Sequence, residues 1–66
     1  MRNKFSNGNT VLVNETALIA ADHIGKVGVV VGTISLEKEC LATVQLKDGV
    51  ILYGIPEIEL DSLKIL

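Results

Sequence analysis

The stretch "LATVQLKDGVILYGIP", Leu41–Pro56, decides how this chain is read. Ala42, Val44 and Leu46 alternate with Thr43, Gln45 and Lys47, the period-2 pattern of a strand with one dry and one wet face. Asp48-Gly49 follows, a dipeptide suited to the positive φ of a tight hairpin turn. Val50–Pro56 is then the return strand, and Pro56 ends it because proline brings no N–H to the ladder. On simple alternation Val50, Leu52 and Gly54 share one face of that strand, and Ile51, Tyr53 and Ile55 share the other.

Working outward, "HIGKVGVVVG" (His23–Gly32) raises a choice between a phosphate-binding loop and a bending strand. A phosphate loop needs a helix after its glycines. Here "TISLEKE" follows, with no helical period, and Gly25, Gly28 and Gly32 do not have GxGxxG spacing. Val27, Val29, Val30, Val31, Thr33 and Ile34 instead make Lys26–Leu36 a strand, entered through a turn at Gly25. Gly28 and Gly32 mark where it curls or where another backbone comes close. "EKEC" (Glu37–Cys40) reads as the turn into the hairpin, with Cys40 at its tip.

Upstream, "TVLVN" (Thr10–Asn14) is a short strand with Val11 and Val13 on one face. Residues 15–25 read as a long loop with one helical turn, Leu18, Ile19 and Ile24 tucked inward. Residues 1–9 are a polar lead-in that frays. Downstream, "EIELDS" suits a 3-10 turn and "LKIL" (Leu63–Leu66) a closing strand. The sum is one all-β domain over residues 10–66: a small five-stranded barrel with a short helical or 3-10 turn.

The frame "GKVGVVVG…ATVQLKDGVILYGIPEIELDSL" resembles the KOW-type and related bacterial SH3-like barrels. It does so at Gly25, Gly28 and Gly32, at Val44, Leu46, Asp48 and Gly49, and at Glu57, Glu59 and Leu60. The resemblance implies an SH3-like barrel across residues 10–66. It also implies one of several roles: binding RNA or ribosomal surfaces, serving as an accessory subunit, or regulating a partner by contact. RNA-binding members often carry basic residues near the first loop and the hairpin. Here those places offer Lys26 and Lys47, next to Asp22 and Asp48.

Composition narrows the roles further. The chain has 66 residues, and domains of this size bury only about 60 % of the surface their unfolded chain exposes. One cysteine makes an internal disulfide impossible, and one Cys with one His falls short of the roughly four such ligands a structural zinc site takes. Stability therefore falls to apolar packing or to a partner, which the 48 % hydrophobic content fits. The only aromatics are Phe5 and Tyr53, so the core is aliphatic. A net charge of −2 argues against a phosphate-tracking surface. No apolar run is long enough to span a bilayer, the N-terminal residues lack the apolar core of a signal peptide, and the lone cysteine suits the cytoplasm.

No residue set converges as nucleophile, base and acid. His23 beside Asp22 reads as a loop-packing histidine, and Cys40 among acids as an inert thiol. Glu57, Glu59 and Asp61 read as a solvated acidic edge, usable for docking a basic partner. No metal or cofactor is expected. The informative anomaly is apolarity on both faces of the return strand and around Val29–Val31. Exposed apolar surface of that kind marks interaction sites. The sequence thus predicts a non-enzymatic interaction module that binds a protein partner or itself through Ile51, Tyr53, Ile55, Val29 and Val31, with no membrane role. Nucleic-acid binding near Lys26 and Lys47 is the alternative.

Overall fold

The structure is a computed structural model and describes residues 5–63. Strands β1 (Thr10–Val13), β2 (Val27–Ser35), β3 (Cys40–Leu46), β4 (Ile51–Pro56) and β5 (Leu60–Ser62) form one antiparallel sheet in the order β4-β3-β2-β1-β5. Two 3-10 turns, Ala21–His23 and Glu57–Glu59, punctuate it. The fold is all-β and barrel-like but not closed, so β4 and β5 are its two edges.

Alternation builds the core. Val11 and Val13, Val30, Ala42, Val44 and Leu46, and Leu60 point inward from successive strands and are buried. Leu52 packs against them. The sheet curls at one level. Val31 and Gly32 of β2 together oppose Thr43, and Tyr53 and Gly54 of β4 oppose the same residue from the other side. Two β-bulges thus flank the middle of β3, and bulges bend and twist the strands that carry them. Gly54 takes φ +64°, a conformation that side chains resist.

The bulge on β4 corrects the sequence reading. Strict alternation puts Ile55 on the face of Ile51 and Tyr53. The extra residue reverses the phase, so Ile55 pairs with Ala42 and enters the core. Ile55 is therefore removed from the exposed face.

Other segments differ from expectation for physical reasons. The lead-in is pinned from Phe5 onward: Phe5 is buried, Gly8 N–H donates to the Val30 carbonyl, and Val30 N–H donates to the Asn9 carbonyl. Leu18, Ile19 and Ile24 are exposed rather than tucked in, and Ala17 and Ala20 are buried in their place. Cys40 is not at a turn tip but opens β3 and is buried. The closing strand begins at Leu60. Leu63 N–H still donates to the Thr10 carbonyl, and residues 64–66 of the expected strand lie outside the described residues.

Glu59 explains the inverted loop. It is buried, 3 % exposed, and its Oε1 accepts hydrogen bonds from the N–H groups of Leu18 and Ala20, both at 3.0 Å. Drawing that backbone onto the body leaves room beneath it only for alanine and turns Leu18 and Ile19 outward. Asn14 shapes the loop entrance, its Oδ1 accepting from Thr16 N–H at 2.9 Å and its Nδ2 donating to the Ile58 carbonyl at 2.8 Å. The expected solvated acidic edge is accordingly not continuous. Glu59 is an internal clamp, and Glu57 Oε2 accepts from Phe5 N–H at 3.2 Å.

Candidate interaction surface

The outward face of the central sheet carries the exposed apolar residues. Cross-strand register places Val29 opposite Gln45, and Gln45 opposite Ile51. One level along, the two bulges set Val31 and Tyr53 on either side of Thr43. Val29, Val31, Ile51 and Tyr53 thus surround Gln45 and Thr43, and all four are exposed, Tyr53 most of all at 73 %. Four of the five residues singled out from the sequence come together here, and Ile55 does not.

The same face continues through residues the sequence reading did not select. Ile34 pairs with Leu41, and Leu41 with Pro56, and Ile34 is exposed. Cross-strand register is the only signal that joins them, and it depends on where the bulges fall. A separate exposed apolar group lies beside β5: Leu18 and Ile19 on the loop and Ile58 on the second 3-10 turn. Asn14 Nδ2 donates to the Ile58 carbonyl and Asn14 Oδ1 accepts from Thr16 Oγ1 at 2.6 Å, which ties the two segments together.

The charged candidates form a different site. Lys26 and Lys47 line one shallow hollow of about 380 Å³ together with Asp48. Lys26 Nζ lies 3.4 Å from Asp48 Oδ2. A carboxylate paired with Lys26 offsets part of the positive field that a phosphate backbone needs. The Val50 N–H, which donates to Asp48 Oδ1, and then Lys26 hold the Asp48 carboxyl below its ordinary value of 3.8. A depressed carboxyl adds stability above the ordinary carboxylate range and loses it as pH falls through the lowered value. Both side chains of the pair are about half exposed, so the pair itself contributes little. Lys26→Ala is expected to leave the thermal midpoint at pH 7 unchanged within error. A carboxyl-carbon NMR titration of wild type is expected to place Asp48 below 3.8.

His23 ends the first 3-10 turn and is half-buried, with Nδ1 buried and without a hydrogen-bond partner among the described residues. Among those residues no three His, Cys, Asp or Glu side chains converge as a metal site, and no helix is long and apolar enough to cross a membrane. No protein-family model, curated protein or solved structure matches the chain.

Proposed function

We propose that this protein is a non-enzymatic interaction module. It acts through the outward face of β2, β3 and β4, with Tyr53 as the anchor and Val29, Val31 and Ile51 around it. The observation that carries the reading is the exposure of Val29, Val31, Ile51 and Tyr53 together on one face of the sheet. Leaving apolar area in water forgoes roughly 25 cal/mol per Å². A partner that covers this face recovers that energy. Tyrosine suits the role because it offers a large rigid apolar body with a polar tip, and such residues dominate binding energy at interfaces. Gln45 and Thr43, between the apolar side chains, supply hydrogen-bonding groups that fix orientation. The role is that of an accessory subunit or a contact regulator.

Amide NMR spectra of the labelled chain, recorded in extract of its source cells, test this. Line broadening is expected at Val29, Val31, Ile51 and Tyr53, and Tyr53→Asp, a change at a surface site, is expected to abolish it while leaving the rest of the spectrum folded. Broadening centred on Lys26 and Lys47 and removed by added salt contradicts the reading and supports nucleic-acid binding instead.

A further inference from the structure

Strand β4 carries an open backbone edge as well as an exposed face. The Leu46 N–H donates to the Val50 carbonyl, which fixes the phase of the β3–β4 ladder. In an antiparallel pair the residues alternate between bonded and unbonded positions. Val50 and Leu52 therefore turn their backbone groups toward β3, and Ile51 turns its N–H and C=O outward. Among the described residues no strand pairs with that outer edge. Proteins usually blunt such edges with charge. The other edge strand, β5, is three residues long and carries Asp61. From Gly49 to Pro56 there is no charged residue at all.

We infer that this edge pairs with the same edge of a second copy, as an antiparallel β4–β4 dimer with a two-fold axis at Leu52. The inference rests on the reading of β4 as an interaction strand and names its partner. In this register Ile51 of each copy lies opposite Tyr53 of the other and exchanges backbone hydrogen bonds with it. Leu52 lies opposite its counterpart, and Val50 opposite Gly54, which has no side chain to obstruct it. Every facing pair is uncharged. The Tyr53–Ile51 pair occurs twice, and aromatic with β-branched pairs are among the favourable cross-strand combinations. A two-fold contact of one patch with itself closes, which limits assembly to a dimer. The Gly54 bulge and Pro56 end the usable edge after a few residues, so no longer ribbon forms. So short a strand pair buries less than the ~1,200 Å² of standard stable interfaces, and the dimer is accordingly weak and concentration-dependent.

Sedimentation equilibrium tests the inference on two chains: the wild type, and a synthetic chain whose Ile51 amide nitrogen is methylated. That N–H does not serve the β3–β4 ladder, so methylation blocks the outer edge and leaves the fold and every side chain in place. The wild type is expected to pass from monomer to dimer on concentration up to about 1 mM, with slower amide exchange at Ile51 in the dimer. The methylated chain is expected to dimerise at least about tenfold more weakly. A wild type that stays monomeric over that range overturns the inference, as does a methylated chain that dimerises equally well, or mass that grows beyond the dimer. If Tyr53 broadens in cell extract while the purified chain stays monomeric, the pairing of copies fails and the interaction reading stands.

Discussion

Glu59→Ala is expected to cost this domain about 3 kcal/mol or more, most of the stability available to a chain of its size. The carboxylate is buried and is the acceptor for two backbone N–H groups, those of Leu18 and Ala20. Hydrogen bonds to charged groups contribute about 1.5–3 kcal/mol each, and a buried donor left without an acceptor adds its own penalty. Alanine removes both bonds at once and leaves a void against the core. Glu59→Gln keeps the volume and one acceptor oxygen, so its cost is expected to be smaller, about 1–2 kcal/mol. Urea unfolding of the three chains measures the order. Amide exchange at Leu18 and Ala20 reports whether the loop is released before the sheet unfolds. A Glu59→Ala chain with the wild-type midpoint contradicts the clamp.

The second large effect is expected at Gly28. A Cβ there would stand 2.6 Å from Val44 Cγ1 and 2.7 Å from the Gln45 carbonyl oxygen. One obstacle is a fully buried valine and the other is backbone of the neighbouring strand, so relief requires β2 and β3 to move apart. Overpacking of this kind costs about 1–3 kcal/mol, and Gly28→Ala is expected at the upper end. Gly32, four residues along the same strand, meets only Thr43 at 3.7 Å. Gly32→Ala is expected to be neutral or to stabilise by up to about 1 kcal/mol, because alanine restricts the unfolded chain more than glycine does. Equal losses at the two positions in urea unfolding contradict this account of the strand.

That contrast bears on how much of the fold was legible. The two glycines were readable as a bend or a close approach, and the structure divides the roles: Gly28 is the close approach and Gly32 sits at the bulge. The β3–β4 hairpin followed from alternation and from Asp48-Gly49, because both are local signals. The bulges did not. An extra residue opposite Thr43 changes neither composition nor propensity, yet it carried Ile55 from the expected exposed face into the core. Glu59 was hidden for a related reason. Its partners lie 41 and 39 residues away, and within its own segment it resembles any acid in a turn. Within their own segment Ala17 and Ala20 carry no signal of burial; their use here is their small size beneath a clamped loop. Of the candidate surface, Val29, Val31, Ile51 and Tyr53 were legible because apolar residues exceeded what one small core can bury. Their arrangement around Gln45 and Thr43 required the register.

Tyr53 is expected to anchor a contact with another protein chain. A photoreactive benzoylphenylalanine introduced at position 53 in source cells tests it most directly, with position 15, exposed on the loop after β1, as a control. The expected result is a discrete cross-linked species from position 53 and none from position 15. Irradiation that leaves the position-53 chain uncross-linked contradicts the claim.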